Sequence, residues 1–546
     1  MRTSLRALVT TIVFAIGGIG LASAQSTFVR ILDDDFLPIP ATQTEVVPVS
    51  LFGPQACCNP APTFDIALRA AHGASVPGGG TLSPFAPANP AIINDHGRIA
   101  FMAYVDGALR NQGIFVADPN GITPIAMGCG QYGGGGSTGT CGDVSPIGGH
   151  FSGMFGGTVF APAINNNGDV LFISDVFGGS AIRGLFLYRA ATGTIIKIAA
   201  PGDASPVGST LAAVGPGSIN NNGEIVFLGM QSITARVNIL RWSNSVLSKV
   251  VAVGDAAPGG GTFKIIAGES FGFSDGTTIP IGAVPGINDA GQVCFFSTIQ
   301  SGTYERGLFV STGGVHQVFV KAGDATPLGG TYNSFYAPMI NNAGTIAFFG
   351  DVSLPGGQFT SGLFVGTPGN YRKALAFYDV IGGLPVFGLA VTRNPIQQLD
   401  DCGNLLAWCA VQIASEQYRD TLLLCPASGA TPLIIAQQGQ PTPIGGTYGE
   451  MNAWMTLNRS GGGVLSPYTP GASGGVLNAH FVYTSHPNGD LTGDGLIDLN
   501  DLAKLLSNYG RSGFPGYSQG DLNGDGVIDL DDLADLLALY GADCRT

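Results

Sequence analysis

The chain has 546 residues, a net charge of −14 and a pI near 4.7, and 11% of its residues are charged against 45% that are hydrophobic. So little charge and so much apolar content, with 85 glycines, exclude a disordered chain and a coiled coil. The acidic balance also argues against nucleic acid as a partner, because there is no basic patch to neutralise phosphates.

The N-terminus has the pattern of a secretory signal. An apolar stretch at residues 8–21 follows two arginines, and small residues at 22–24 form a cleavage pattern. We therefore predict a signal peptide over residues 1–24 and a protein that is secreted, extracellular or at the cell surface. No later stretch has about eighteen unbroken apolar residues, so the sequence predicts no membrane span after cleavage.

The middle of the chain, residues 25–485, is a repeat array. A five-residue motif begins with Ile or Leu, continues with Asn or Asp, and ends with Gly. Its seven copies end at Gly97, Gly168, Gly223, Gly291, Gly344, Gly403 and Gly461. Asn or Asp bonds its own backbone and Gly supplies a positive φ, so each copy predicts a hairpin turn. Apolar runs such as 99–102 and 346–349 do not alternate, so the strands should be covered on both faces.

A second motif alternates with the first. Residues 323–331 have the sequence Gly-Asp-Ala-Thr-Pro-Leu-Gly-Gly-Thr, and related segments begin at Gly73, Gly142, Gly202, Gly254 and Gly439, with a decayed copy near Asp379. Asp143, Asp203, Asp255 and Asp324 recur once per unit. We interpret them as turn residues, because the acid–base pair of a glycosidase needs two unlike environments.

The size of one unit indicates the fold. Each unit offers roughly four strands in about sixty residues, as a propeller blade does. A strand predicted at 64–69 precedes the first turn, and the last unit lacks its equivalent, so the early strand should complete the last blade and hide its edge. We predict a mainly β fold, a seven-bladed β-propeller, with an open β-solenoid as the alternative.

The nine cysteines allow some pairing. Cys129 and Cys141 bracket a glycine-rich loop and are predicted to pair across it, and Cys402 and Cys409 are candidates to meet. Cys294 lies in an apolar run, which predicts a buried free thiol.

The tail, residues 490–546, carries one loop pattern twice. Oxygen donors stand at loop positions 1, 3, 5, 9 and 12, with Gly at position 6 and a backbone carbonyl at position 7. The predicted metal ligands are Asp490, Thr492, Asp494, Leu496, Asp498 and Asp501 in the first copy, and Asp521, Asn523, Asp525, Val527, Asp529 and Asp532 in the second. This spacing suits a hard cation, so the sequence predicts two Ca²⁺ ions, one per loop.

A leucine stripe of helical period follows each loop and ends at Gly510 or Gly541. No helix is predicted before either loop, so each copy is an EF-hand-like loop and one helix, and the two copies should pack on each other. Asn523 stands where the first loop has Thr492, which predicts that the second site binds calcium more tightly. Clustered carboxylates repel each other without metal, so folding and metal uptake should be one event.

The duplicated pattern from Asp490 to Gly541 resembles the dockerin type I family. The resemblance implies a small α calcium-binding domain that docks to a cohesin-like domain of another protein. Contacts would be carried partly by loop positions 10 and 11, which are Leu499, Asn500, Leu530 and Asp531. A calcium-stiffened terminal tag without such a partner is the alternative.

The array is similar to a bacterial family of tandem repeats with an N-x-x-G-x-x-A-F pattern, most clearly at 94–101 and 341–348. That resemblance implies export and no assigned activity.

Two functions from different classes follow. The six histidines are scattered and no H-E-x-x-H motif occurs, so no catalytic residue is predicted. We therefore expect an exported, non-catalytic binding or scaffold protein whose propeller has a polysaccharide or cell-surface ligand. The alternative is a polysaccharide-degrading enzyme of the glycoside hydrolase type, or a component of a polysaccharide catabolic complex.

Overall fold

The computed structural model of this protein describes residues 60–84, 91–129, 140–154, 161–231, 236–266, 270–272, 278–280, 284–390, 398–415, 417–451, 455–487, 489–492, 494–512, 519–522 and 527–543. The predicted signal peptide lies outside these residues. The described residues divide into two compact units, one up to His486 and one after it.

Residues 59–486 contain seven sheets of four or five strands, which are the blades of a β-propeller. Blade one contains β2 (Thr81–Leu82), β3 (Ile92–Ile93), β4 (Ile99–Asp106), β5 (Gln112–Asp118) and β6 (Gly121–Gly128). Blade two contains β7 (His150–Met154), β8 (Ala163–Ile164), β9 (Val170–Phe177), β10 (Arg183–Arg189) and β11 (Thr194–Ala199). Blade three contains β12 (Leu211–Ile219), β13 (Ile225–Gln231), β14 (Val237–Ser243) and β15 (Val246–Val251).

Blades four and five contain β16 (Thr262–Ile266), β19 (Gly286–Ile287), β20 (Val293–Gln300), β21 (Arg306–Thr312) and β22 (Val315–Lys321); and β23 (Thr331–Ile340), β24 (Ile346–Ser353), β25 (Phe359–Thr367) and β26 (Asn370–Ala376). Blades six and seven contain β27 (Val380–Ile381), β28 (Leu384–Ala390), β29 (Leu405–Ala414), β30 (Gln417–Cys425) and β31 (Leu433–Gln437); and β32 (Thr456–Leu457), β33 (Gly463–Leu465), β34 (Ala479–Pro487) and β1 (Pro60–Ala71). Strands β17 (Ser270–Gly272) and β18 (Thr278–Pro280) form a separate hairpin after β16.

The ring closes as the sequence predicts. Strand β1, from the start of the described chain, pairs with β34 as the outer strand of blade seven. The ring of Phe64 on β1 contacts the ring of Tyr483 on β34, with centroids 5.6 Å apart. The propeller prediction is therefore confirmed over the open solenoid, because the last blade obtains its fourth strand from the beginning of the array.

The apolar runs lie between blades and are covered on both sides. Ile99, Ala100, Phe101 and Met102 are consecutive and each is at most 1% exposed. Phe101 packs in a cluster shared with blade seven, whereas Ala100 and Met102 pack in one shared with blade two. This arrangement explains why the strands do not alternate, since each sheet has a neighbouring sheet on either face.

The cysteine predictions have mixed outcomes. Cys129 and Cys141 form a disulfide with a Cα–Cα distance of 6.0 Å, and Cys294 is a buried free thiol, so both predictions are confirmed. The pairing of Cys402 with Cys409 is wrong, because Cys402 is disulfide-bonded while Cys409 is a buried free thiol. Cys402 lies in an inner turn and Cys409 lies five residues into the extended β29 sequence, where each residue advances about 3.3 Å away from that turn.

The described part of the tail contains two helices, α1 (Leu499–Asn508) and α2 (Leu530–Leu539). Each begins after an aspartate that caps it, because the side chains of Asp498 and Asp529 accept hydrogen bonds from the first-turn backbone. Each is followed by a glycine in the left-handed conformation that stops a helix, Gly510 (φ 81°) and Gly541 (φ 92°). Together with the array, these elements make the protein mainly β with a short helical tail.

Candidate functional site

The inner turns of the blades carry seven buried polar side chains at the second position of the first motif. We call them the Asx ring: Asn94, Asn165, Asn220, Asn288, Asn341, Asp400 and Asn458, each at most 4% exposed. Asn288 illustrates their bonds. Its Oδ1 accepts the backbone N–H of Gln292 at 2.9 Å and closes the turn. Its Nδ2 donates to the backbone carbonyl of Asn341 in the next blade at 3.0 Å.

The same bond between blades recurs around the circle. Six steps carry it, at 2.8–3.1 Å: Asn94 to Asn165, Asn165 to Asn220, Asn220 to Asn288, Asn288 to Asn341, Asn341 to Asp400, and Asn458 to Asn94. The turn role predicted from the sequence is therefore confirmed. Each asparagine also fastens its blade to the next one, and this second role was not predicted.

Asp400 interrupts the Asx ring. Among the described residues no bond runs from its side chain to Asn458, because a carboxylate has no hydrogen to donate. Its oxygens instead accept the backbone N–H and the side-chain Nδ2 of Asn404, at 2.7 and 2.8 Å. Burial, with a smaller contribution from the neighbouring Asp401, raises the pKa of Asp400 to about 7 although the hydrogen bonds from Asn404 lower it.

Replacing Asn288 with alanine should destabilise the propeller by about 2–4 kcal/mol, because the carbonyl of Asn341 and the N–H of Gln292 lose their partner in a buried position. The measurement is the free energy of unfolding in urea. Asn222→Ala is the matched control, since Asn222 is an exposed asparagine that also donates to the next blade, at 2.7 Å from the carbonyl of Asp289. Equal losses of unfolding free energy in the two variants would show that burial does not increase the contribution of the Asx-ring side chains to stability.

The next residue of each motif lies in a second, partly exposed circle. We call it the mouth ring: Asp95, Asn166, Asn221, Asp289, Asn342, Asp401 and Arg459. Arg459 is its one cation. The arginine Nη1 lies 3.7 Å from Oδ1 of Asp401, and Nη2 donates to the carbonyl of Ile287 in blade four at 3.3 Å. Because Arg459 belongs to blade seven, its side chain reaches across the inside of the circle.

The recurring aspartates of the second motif lie in turns and are already bonded. Asp203, for example, accepts the N–H of Ala200 at 2.8 Å and the Nζ of Lys197 at 2.7 Å. Asp143, Asp255, Asp324 and Asp379 likewise each hold one backbone N–H and one Arg or Lys side chain. These repeated contacts fit a structural role, and none of the five is placed as a general acid or base.

The first tail loop directs its two end carboxylates inward. Asp490 and Asp501, at positions 1 and 12, are 3% and 0% exposed. Asp490 accepts the N–H of Gly495 at 2.9 Å, and Asp501 accepts the N–H groups of Thr492 and Asp498 at 2.9 and 2.8 Å. The loop backbone is thus wound around these two carboxylates.

The remaining residues predicted to bind metal in that loop lie nearer the surface. Thr492 and Asp494 are exposed, and Leu496 and Asp498 are half-buried. The carboxylates of Asp494 and Asp498 accept the N–H groups of Leu496 and Asn500 at 2.9 and 2.7 Å.

The second loop repeats the arrangement where it is described. Asp521 and Asp532, again at positions 1 and 12, are 5% and 0% exposed, while Asp529 is half-buried and Val527 is exposed. Asp532 accepts the N–H groups of Leu522 and Asp529, at 2.7 and 2.8 Å. Asn523 and Asp525 lie outside the described residues.

Two short crossed contacts join the copies. Ile497 exchanges backbone hydrogen bonds with the segment after α2, through the N–H of Gly541 and the carbonyl of Ala542. Ile528 does the same with Gly510 and Arg511, after α1. The buried leucines Leu502, Leu505, Leu533 and Leu536 complete this small core. Each copy thereby covers the other, as the sequence predicts for two loop–helix copies.

The fit to calcium is only partial in this arrangement. Within the described ranges, no three His, Cys, Asp or Glu side chains converge closely enough to hold an ion. The donors are nevertheless hard oxygens, which suit Ca²⁺. In each loop the buried carboxylates at positions 1 and 12 would be the anchoring ligands, and the exposed position-5 carboxylate, where described, would have to turn inward.

The residues predicted to contact a partner lie on the tail surface. Leu499 and Leu530 are 48% and 62% exposed, and Asn500 and Asp531 beside them are exposed as well. Each leucine is the first residue of its helix, next to a loop.

Comparison with known proteins finds one matching family and several solved structures of low similarity. The model of a family described as "Family of unknown function (DUF7453)" matches residues 164–493. No curated protein sequence matches. No helix within the described segments has the length and apolarity needed to span a membrane.

Three solved structures illustrate the fold likeness. A puromycin-hydrolyzing peptidase of Mycobacterium tuberculosis is 10% identical with a TM-score of 0.39, over 76% of this chain and 55% of that one. The GH74 xyloglucanase of Xanthomonas campestris is 11% identical with a TM-score of 0.36, over 78% and 54%. The β-propeller domain of the Trilobed protease of Pyrococcus furiosus is 8% identical with a TM-score of 0.27, over 62% and 94%. This chain spans about half the length of the first two, and scores this low carry no inference about activity.

Proposed function

Since this chain belongs to the family of unknown function DUF7453, whose model matches more than half of it, we propose a function from its own residues: an exported, non-catalytic scaffold with a calcium-dependent docking tail. The observation that carries the proposal is that each tail loop has a buried, acidic part and an exposed, apolar part. The carboxylates at positions 1 and 12 are buried, while the leucine at position 10 is exposed. One part of the loop is thus suited to hold an ion and the other to meet a partner.

The buried carboxylates support the calcium part. Burying an ionised carboxylate is costly unless opposite charge or hydrogen bonds compensate for the lost water. The two N–H groups on Asp501 provide part of that compensation, and a divalent cation between Asp490 and Asp501 would provide the rest. Two such ions, one per loop, would be the cofactors of the tail.

The exposed leucines support the docking part. The copies present Leu499 with Asn500 and Leu530 with Asp531 at corresponding places, so the tail offers two similar surfaces. An exposed apolar side chain with polar neighbours matches the apolar core and polar rim of a protein interface. We propose a cohesin-like domain as the partner, in keeping with the resemblance of the tail to dockerins.

The enzyme alternative has less support. The second-motif aspartates are each held by a backbone N–H and a cation, and the Asx ring is occupied in joining blades. A general acid and base in one cleft, which hydrolysis of a glycoside requires, is not what these side chains supply.

The test measures binding of the full secreted chain to a panel of cohesin domains by biolayer interferometry, in Ca²⁺ and in EDTA. We expect binding in Ca²⁺ only, and at least tenfold weaker binding after the double substitution Leu499→Ala/Leu530→Ala. Leu477→Ala is the matched control, because Leu477 is also exposed (52%) but lies in the propeller. Absence of binding to every cohesin, or binding unaffected by EDTA, would refute the docking proposal.

A further inference from the structure

Blade six differs from the other blades at two neighbouring surface positions. Equivalent residues of the blades can be identified by one backbone hydrogen bond that recurs among them. In five blades a glycine N–H donates to the carbonyl nine residues later: Gly73 to Leu82, Gly202 to Leu211, Gly254 to Phe263, Gly323 to Tyr332, and Gly439 to Tyr448. In blade six the donor of the same bond is Tyr378 and the acceptor is Val386, at 2.8 Å.

Tyr378 keeps the backbone conformation of the glycines that it replaces. Its φ is +69°, and the five equivalent glycines have φ between +83° and +97°. A tyrosine in this left-handed region is strained by about 1–2 kcal/mol, whereas glycine is not. Packing in the core does not compensate for the strain, because the Tyr378 side chain is 66% exposed. A strained and exposed aromatic residue is therefore a candidate for a binding role.

The residue after the acceptor changes in the same blade. It is Phe387 in blade six, and Ser83, Ala212, Lys264, Asn333 and Gly449 in the five blades that share the marking bond. Phe387 is 38% exposed, and its ring meets the ring of Tyr378 nearly at right angles, with centroids 5.3 Å apart. Tyr418 continues the group, with its ring 6.3 Å from that of Phe387 and 48% exposed.

We propose that these three rings, Tyr378, Phe387 and Tyr418, which we call the aromatic corner, bind pyranose rings of a neutral polysaccharide. A pyranose has an apolar C–H face that stacks on an aromatic ring and hydroxyls at its edge that bond to polar neighbours. Two rings that meet at 88° can hold one sugar by its face and its edge at once. This inference concerns the propeller and stands apart from the docking role of the tail.

The surroundings favour a neutral sugar over a charged ligand. Among the described residues beside the corner, Lys373 is paired with Asp379, so neither of these two charges is free to bind an ionic ligand. Arg419 follows Tyr418 in β30, so its side chain points to the opposite face of the sheet, where it is bonded to Gln437 at 3.3 Å.

The test compares the full chain with variants that restore the other blades' residues. Tyr378→Gly and Phe387→Asn copy blade five, so they should leave the melting temperature unchanged or raise it, the first by removing strain. Affinity electrophoresis in gels containing xylan, barley β-glucan or galactomannan, and pull-down on cellulose and chitin, measure binding. We expect the wild type to be retained by at least one of these glycans and each variant to bind at least tenfold more weakly.

Phe359→Thr is the matched control, since Phe359 is 72% exposed on blade five and belongs to no such corner; it should bind as the wild type does. Retention by none of the five glycans, or equal retention of wild type and both variants, would overturn the inference. Binding is measured in EDTA as well as in Ca²⁺. Glycan binding that persists in EDTA supports this inference whatever the outcome for the tail, so the two proposals fail independently.

Discussion

Removing calcium is expected to unfold residues 490–543 while the propeller keeps its melting temperature. Asp490, Asp501, Asp521 and Asp532 are at most 5% exposed, so without a cation four carboxylates would have to stay buried in a unit of about fifty residues. A core of a few leucines and isoleucines cannot offset that cost in so small a unit. Hydrogen–deuterium exchange on the full chain, with excess Ca²⁺ and with EDTA, measures protection of α1 and α2 separately from the blades.

Substitution should locate the effect. Asp501→Ala should abolish one of two calcium sites in calorimetric titration and reduce protection of α1, because Asp501 also joins Thr492 to Asp498. Asp535→Ala is the matched control, since Asp535 is an exposed aspartate on α2 outside the ligand pattern, and it should keep both sites. Equal protection of the tail in EDTA and in Ca²⁺ would contradict the prediction and remove the basis of the docking proposal.

The second large effect is expected from Asp400, whose ionisation should make the propeller less stable as pH rises from about 4 to about 7. Burial raises the pKa of Asp400 from 3.8 to about 7, so in this interval the folded chain keeps a proton that the unfolded chain has lost. Stability therefore falls with pH across the interval and is level above it. At about 1.4 kcal/mol per pKa unit, the loss amounts to a few kcal/mol.

The Asx ring gives this titration a structural reason. A protonated Asp400 has a hydrogen to donate, as the asparagines of the other six blades do, and an ionised one has none. Asp400→Asn should therefore remove the loss of stability at high pH. Because Asn404 also donates to this position, the double variant Asp400→Asn/Asn404→Gln is also tested. It copies the uncharged pair of blade four, where the side-chain oxygen of Gln292 accepts the Nδ2 of Asn288 at 2.8 Å.

The measurement is urea unfolding at pH 5 and pH 8 for the wild type and both variants. His480 must be taken into account, because burial lowers its pKa to about 3 and so costs stability as pH falls below about 6.5. That contribution is common to all three chains, so the difference between wild type and variant isolates Asp400. A difference that does not change between the two pH values would show that Asp400 is ionised throughout.

Several features of the fold were predictable because they depend on local chemistry. The pattern from Ile287 to Gly291 predicts a turn wherever it occurs, and every inner turn follows it. The unalternating run at 99–102 implies strands covered on both faces, which only stacked sheets provide. Counting units then gave seven blades, and the unmatched strand at 64–69 indicated where the ring closes.

The bonds across blades were not predictable in this way. Asn288 and Asn341 are 53 residues apart, and nothing in either turn shows that one side chain reaches the backbone of the other. Arg459 was visible as a departure from the Asn or Asp found at its position, yet its contact with Ile287 depends on the diameter of the closed circle. The aromatic corner likewise required the register of β28 and β30 in blade six.

By itself the sequence determined the turns, the strands, their number and the oxygen-rich tail loops, because glycine, asparagine and aspartate act on the few residues next to them. Only the tertiary structure decided which turn residues join neighbouring blades, which aspartate is buried without a hydrogen to donate, and which aromatic rings meet at the surface. These outcomes depend on distances between segments that are far apart in the chain, and such distances are set when the seven sheets close into a ring.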